Sequence, residues 1–295
     1  MLEALGIDPQ MLYGQLLVGL INGSFYATLS LGLAVIFGLL NIVNFAHGAQ
    51  YMMGAFVAWM ALRYLDIGYW WALLLAPLVV AAFGIVLELT LLRRLYKLDH
   101  LYGLLLTFGL ALIIEGAFRQ AYGISGERYE IPESLTGAFD LGFMMLPKYR
   151  AWVVLASLVV CLASWLVIER TRLGAYLRAG TENPRLLQAF GVNVPAIVTL
   201  TYGFGALLAA FGGVLAAPIY QVNAAMGSNI LVTVFAVVVI GGLGSIAGSI
   251  VTGVALGVLE GLTKVVYPQA SGIVVFVVMA IVLILRPAGL FGKEK

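Results

Sequence analysis

The side chains best suited to chemistry are concentrated in one stretch, NIVNFAHGAQ, at residues 41–50. Its polar residues, set between two almost purely apolar runs, are Asn41, Asn44, His47 and Gln50. Amides at such a place can hydrogen-bond the backbone groups that a helix break releases, and Gly48 permits a tight turn. A histidine can also serve as a general base, but no GxSxG nucleophile motif accompanies His47. The stretch therefore predicts a break between two helices. The alternative is an ordinary turn at the membrane surface, in which the amides cap helix ends.

Other chemistries lack the residues they need. A metal site needs three or four ligands, and the chain has one cysteine and two histidines, Cys161, His47 and His100. No GxxxxGK(S/T) phosphate loop occurs. The glycine-rich stretches GFGALLAAFGG and GGLGSIAG lie in apolar runs, where small residues let helices approach closely. We expect no metal site, no ATP site and no enzyme activity in this chain.

A few charged residues lie within apolar runs. Two acids stand four residues before a base, and one stands five before: Glu115 and Arg119, Glu260 and Lys264, Glu88 and Arg93. We interpret all three as local ion pairs on a helix face. Because an ionisable residue at membrane depth is a functional candidate by default, Glu115 remains one.

The composition indicates that these residues lie on membrane-spanning helices. The chain of 295 residues is 62% hydrophobic and 10% charged, with a mean hydropathy of +1.04, whereas soluble domains carry about 25% charged residues. Apolar segments long enough for membrane spans are 12–40, 48–65, 70–92, 101–121, 151–168, 194–217, 229–243, 246–263 and 272–286. The first could contain a break, and the seventh could cross only partly. We predict an all-α polytopic membrane protein with eight to ten transmembrane or half-membrane helices and glycine-rich breaks.

Lysine and arginine set the orientation, because they are enriched in cytoplasmic loops. They cluster after the third span, in 169–193 and at the C-terminus, and these places share one side if all nine segments cross. The N-terminus is then outside and the C-terminus cytoplasmic, unless segment seven or part of segment one is re-entrant. Residues 1–295 form one transmembrane domain, with 123–149 as an exterior loop.

We predict two interruptions of helices, at residues 41–48 and 241–248, that face the protein interior. They could border a substrate route, by analogy with transporters whose broken helices line the binding site. The predicted pathway residues are Asn41, Asn44, His47, Gly48, Gly241, Gly242, Gly244, Ser245 and Gly248.

The segment 169–193 predicts a short amphipathic helix that begins near Pro184 and stops at Gly191. Such a helix could fill another protein's groove or lie on the membrane surface. The residues alone leave both open.

Four motifs, in order along the chain, carry a family resemblance: GLLNIVNFAHGAQYMMGAF, RTRLGAYLRAG with NPRLLQAFGVNV, GGLGSIAGSIVTG, and LRPAGLFGK. Together they resemble the permease subunits of branched-chain amino-acid ABC importers, the LivH type. The resemblance implies that 169–193 is a cytoplasmic coupling loop that docks onto a separate ATPase. The residues implied in this contact are Arg172, Gly174, Arg178, Arg185, Leu187, Ala189, Phe190 and Gly191.

The resemblance also implies partners and a compartment. The partners are a second homologous permease of the LivM type, two ATP-binding subunits of the LivG and LivF types, a periplasmic or extracellular substrate-binding protein, and membrane lipid, with no nucleic acid. ATP and Mg²⁺ would be bound by the ATPases, and the site of action would be a bacterial or archaeal plasma (inner) membrane. The same machinery could carry urea, amides or another small amino acid. Three hypotheses compete with an ABC importer: ion-coupled transport by the chain alone, a membrane enzyme that uses His47, and a scaffold without a transport pathway.

Overall fold

The computed structural model describes residues 8–40, 43–96 and 98–292. Within them the chain forms eleven α-helices: α1 (Pro9–Leu40), α2 (Ala46–Leu65), α3 (Tyr69–Thr90), α4 (His100–Tyr122), α5 (Lys148–Arg170), α6 (Arg172–Glu182), α7 (Pro184–Ala189), α8 (Val194–Ala216), α9 (Met226–Gly241), α10 (Ile246–Val266) and α11 (Val274–Leu285). Short 3-10 helices span Leu92–Leu95, Glu133–Leu135 and Pro268–Ala270.

Each predicted span contains a helix with bounds within a few residues of those expected. Six helical segments are long and apolar enough to cross a membrane: Pro9–Gly38, Tyr69–Leu95, His100–Tyr122, Lys148–Arg170, Val194–Ala216 and Ile246–Val266. Two shorter apolar helices, α9 and α11, have 16 and 12 residues. The chain is thus a multi-pass, mostly helical membrane protein. The count of eight to ten crossings and the orientation of the termini stay predictions.

The segment 123–149, predicted as a loop, contains a short β-hairpin. Strands β1 (Ala138–Asp140) and β2 (Met145–Pro147) pair antiparallel, with Phe139 opposite Leu146. The turn between them begins with an Asp140 carboxylate oxygen that accepts from the Gly142 N–H at 2.8 Å, and Gly142 has a φ of 80°. An aspartate and a left-handed glycine are typical of such turns.

Several helices start where a short polar side chain accepts a hydrogen bond from the first turn, as N-caps do. Asn183 accepts from Leu186 at 3.0 Å, and Asn193 accepts from Ala196 at 3.1 Å. The predicted start of a helix at Pro184 is confirmed, because Asn183 caps α7 and Pro184 stands in its first turn.

Contacts divide the chain into two compact units, one of which comprises 8–30, 131–161 and 233–292 of the described residues. In this unit the first part of α1 packs on α10 through small residues spaced four apart: Gly19, Gly23 and Ala27 on α1, and Gly253, Gly257 and Gly261 on α10. A Cβ on Gly257 would overlap the Gly23 backbone. Small residues at this spacing let two backbones approach closely.

The other unit comprises 31–130 and 162–232, apart from the residues not described, and is built around α2, α3 and α8. Asn44 contacts Tyr202 and Gly54 faces Ala210, so α2 and α8 run parallel. Helix α2 is buried along most of its length. A Cβ on Gly54 would overlap the Ala210 backbone, which shows that the two helices meet at backbone distance.

Candidate functional site

The first predicted break lies between α1 and α2, where residues 43–45 are not helical. Asn44 is buried, and its side-chain oxygen accepts from the Ala46 N–H at 3.1 Å. The Phe45 N–H donates to the Thr107 hydroxyl at 3.2 Å. Two side chains therefore satisfy backbone groups between α1 and α2. The Asn44 bond caps the start of α2, which both the predicted break and the alternative of an ordinary turn imply. Asn41 lies outside the described residues.

The position of this break argues against an ordinary surface turn. The Asn44 amide donates to the Tyr202 hydroxyl at 3.3 Å, and Tyr202 follows the start of α8 at Val194 by eight residues. At 1.5 Å per residue, the break is level with a point about 12 Å inside α8. A turn at the membrane surface would instead lie level with the ends of its neighbouring helices.

Asn44, Gln50 and Tyr202 form a buried group, here called the amide–tyrosine cluster. The Gln50 amide nitrogen also donates to the Tyr202 hydroxyl, at 3.2 Å, and Gln50 and Tyr202 are both 0% exposed. The Gln50 side-chain oxygen has no hydrogen-bond partner within the part of the chain that is described. The sequence did not point to Tyr202 or Thr107, since both stand in apolar spans far along the chain and nothing local distinguishes them.

His47 and Gly48 lie in the first turn of α2, and both make close packing contacts. A Cβ on Gly32 would lie 2.9 Å from the His47 Cε1. A Cβ on Gly48 would lie 2.7 Å from the Gly227 carbonyl oxygen at the start of α9. These positions hold α2 against the end of α1 and the start of α9.

The second predicted break, 241–248, is non-helical at residues 242–245, between α9 and α10, whereas Gly241 and residues 246–248 are helical. Its glycines Gly242 and Gly244 have φ values of 99° and 83°, and the Ser245 hydroxyl caps α10 by accepting from the Gly248 N–H at 3.1 Å. Gly241, Gly242 and Gly248 are buried, in agreement with an inward-facing break. Leu243 is 46% exposed, so the interruption does not face inward at every residue.

The C-terminal motif LRPAGLFG meets this second break. The Leu290 N–H donates to the Ile240 carbonyl at 2.8 Å, and the Phe291 N–H donates to the Gly241 carbonyl at 3.2 Å. These bonds satisfy carbonyls at the end of α9 that have no partner inside the helix. A Cβ on Gly242 would lie 2.5 Å from the Gly292 nitrogen, so glycine is required where the two motifs touch.

An apolar cavity of about 160 Å³ lies beside the first break. Phe45 and the first two turns of α2 form one wall, α4 forms another, and the start of α9 forms the third. The carboxylate-bearing residue in the wall is Glu115. Its Oε1 is 2.6 Å from a guanidinium nitrogen of Arg119, so the predicted ion pair is present.

The segment 169–193 forms two helices, α6 and α7, and a turn at Gly191, whose φ is 80°. Phe190 is 77% exposed, whereas Leu187 is 8% exposed. Leu187 therefore packs inside its own chain, and Phe190 is the more accessible of these two predicted coupling residues.

The remaining predicted coupling residues have several different surroundings. Arg178 pairs with Glu169 of the same chain at 3.3 Å, so part of its charge is already compensated. Gly174 lies against the Ile168 carbonyl, where a Cβ would overlap it. Arg172, Arg185 and Ala189 are exposed.

A polar network links the end of α3 to the start of α8, which begins five residues after the end of α7. Glu88 is 0% exposed and accepts from Arg93 at 3.3 Å and from Thr199 at 2.7 Å. The Tyr96 hydroxyl donates to it at 3.1 Å. Burial, and then the Glu88 carboxylate, raise the pKa of Tyr96 above its usual value, so the hydroxyl keeps the proton it donates. The sequence predicted the pair with Arg93 but not Tyr96 or Thr199.

Comparison with known proteins gives a consistent result. Residues 15–283 match the family described as branched-chain amino acid transport system / permease component. The high-affinity branched-chain amino acid transport system permease protein BraD of Pseudomonas aeruginosa is 30% identical, over 95% of this chain and 96% of its own. The LivH permease protein of Escherichia coli K12 is 28% identical, over 98% and 99%. The LivM permease protein of Salmonella typhimurium is 26% identical, over 90% and 67%. No solved structure matches the chain significantly.

The family match extends over both breaks, the cavity and the segment 169–193. It confirms the resemblance carried by the four motifs, and it confirms a transport subunit in place of an enzyme. This chain belongs to the family of branched-chain amino acid transport system permease components.

Proposed function

We propose that this chain is the permease subunit of an ABC importer that moves branched-chain or similar small amino acids into the cytoplasm. The observation that carries the proposal is the match to the permease family over residues 15–283, together with relatives named for branched-chain amino acid transport. The apolar cavity beside the first break agrees with a cargo that has an aliphatic side chain.

In this proposal the chain works in a bacterial or archaeal plasma (inner) membrane, with its N-terminus outside and its C-terminus in the cytoplasm. A LivM-type permease completes the membrane part, a binding protein delivers cargo from outside, and two ATP-binding subunits hold ATP and Mg²⁺. The similarity of this chain to both LivH and LivM proteins supports a pair of homologous permeases.

The segment 169–193 would receive the motion of the ATPases. Phe190, at 77% exposure, offers a large apolar side chain at the end of α7, and such anchors dominate many protein contacts. Helix α8 follows directly, and its first turns are bound to α3 through Thr199 and Glu88. A displacement of α7 would therefore reach the helices that hold the amide–tyrosine cluster.

The two breaks would border the cargo route. Support comes from the buried polar side chains at the first break and from the buried glycines at the second. Non-helical backbone at membrane depth is tolerated where protein or a water-filled cavity satisfies it.

Reconstitution tests the proposal directly. Vesicles that contain this chain, the LivM-type permease, both ATPases and the binding protein should take up radiolabelled leucine only when ATP is hydrolysed. Vesicles that lack the ATPases are the control and should show no uptake. Uptake driven by an ion gradient in those control vesicles would refute the proposal in favour of a secondary transporter. Competition by valine, urea and short amides would distinguish the cargo classes.

A further inference from the structure

The cavity beside Phe45 has a size and walls that suit one aliphatic side chain. Its volume is about 160 Å³, and it is open on one side, where the lining residues Phe108, Leu112 and Val232 are exposed. For scale, an enclosed apolar cavity of about 150 Å³ takes up a molecule as large as benzene. The four-carbon side chain of leucine or isoleucine is smaller than benzene, and the methyl group of alanine would leave most of the space empty. Lining residues include Met52, Leu112 and Leu231, one from each wall.

An ion pair lies at the edge of these apolar walls. The Glu115 side chain is 17% exposed, and that of its partner Arg119 is 52% exposed. A carboxylate in apolar surroundings is retained only when a partner compensates its charge. An α-amino acid carries an ammonium and a carboxylate on the same carbon atom. Its two charges are therefore complementary to a glutamate beside an arginine.

We infer that this cavity binds the aliphatic side chain of an amino-acid cargo, and that the Glu115 carboxylate binds the α-ammonium group of the same molecule. The inference rests on the proposed function and adds to it the residues that select the cargo. Phe45 belongs both to the cavity wall and to the first break, and Gly48 lies in the first turn of α2 that follows it, so bound cargo lies against the non-helical segment. A lipid acyl chain would fit the apolar walls but has no ammonium group for Glu115.

Two substitutions separate the side-chain pocket from the ammonium contact. Ala111→Phe places a ring in the cavity that Ala111 lines, and Glu115→Gln removes the charge at nearly constant volume. The matched control is Glu260→Gln, since Glu260 also pairs with a base four residues later, Lys264, at 2.7 Å and is 13% exposed. All variants are measured in the complete reconstituted complex, with its ATPase rate and its yield recorded alongside uptake.

We expect Glu115→Gln to lower ATP-driven leucine uptake about tenfold, because the variant loses one charge-assisted hydrogen bond to the cargo. The control variant Glu260→Gln should keep the parent rate. Ala111→Phe should lower the ratio of leucine to alanine uptake at least about fivefold. The introduced ring occupies space in the cavity that the leucine side chain needs and the alanine methyl group does not. If both variants keep the uptake rate and the selectivity of the parent, the inference is overturned and the proposed function stands. A cavity occupied by a lipid acyl chain predicts that outcome. No ATP-driven uptake by the parent complex would overturn the proposed function and the inference together.

Discussion

Replacing Tyr202 by phenylalanine tests the amide–tyrosine cluster with the loss of a single oxygen atom. The Tyr202 hydroxyl accepts from Asn44 at 3.3 Å and from Gln50 at 3.2 Å. Both amides are buried, so water cannot replace the lost acceptor. The ring itself keeps its packing, because phenylalanine has nearly the same shape.

Two ranges of hydrogen-bond energy bound the loss of stability expected from Tyr202→Phe. A buried donor left without a partner costs about 1–3 kcal/mol in soluble proteins, whereas hydrogen bonds between membrane helices average about 0.6 kcal/mol, with a maximum of about 1.7 kcal/mol. Both bonds here are longer than the usual distance of about 2.9 Å. We therefore expect Tyr202→Phe to lower the free energy of unfolding by about 1–3 kcal/mol for the two amides together.

Tyr129→Phe is the control within the same unit. Tyr129 is 5% exposed, and its hydroxyl has no hydrogen-bond partner among the described residues, so its removal should be neutral or slightly stabilising. Both variants can be compared by unfolding the purified protein in mixed detergent micelles with increasing SDS. If the two variants were equally stable, the expected contribution of the amide–tyrosine cluster to holding α2 against α8 would be disproved.

Three further predictions address other parts of the chain. Phe190→Ala should weaken binding to the ATPase subunit about tenfold or more, as measured by titration with the purified ATPase. Membrane insertion should stay normal, because Phe190 is 77% exposed. Unchanged affinity would contradict a coupling role. Gly54→Ala should reduce thermal stability, because the added Cβ would overlap the α8 backbone. Gly109→Ala is the control and should be neutral or stabilising, because no heavy atom lies within 4 Å of its added Cβ. Equal melting temperatures of the two variants would count against the contact at Gly54. Single cysteines at Ser134 and Arg185, both exposed, should be labelled from opposite sides of the membrane, and labelling from one side would overturn the proposed orientation.

The helix boundaries were predictable because they depend on local properties. A membrane helix satisfies its backbone within one continuous apolar segment, so hydropathy locates it without knowledge of its neighbours. The start of α7 was predictable for the same reason, because Asn183 and Pro184 act only on the first turn of that helix. The first break was predictable because Asn44 is a polar residue in an apolar run.

The site itself depended on contacts between distant parts of the chain. Tyr202 stands 158 residues after Asn44, and the C-terminal LRPAGLFG motif completes the end of α9 from about 50 residues away. Leu187 and Phe190 look equally apolar in the sequence, but only Phe190 is left exposed.

The sequence alone located the apolar spans, the interruptions between them and the family, because each depends on consecutive residues. Helix packing in the folded chain was needed to show which side chains close the first break, where the cavity lies, and which residue of α7 is buried. Those features depend on how the helices pack, and packing selects small residues such as Gly48 and Gly54 through backbone contacts that no local pattern encodes.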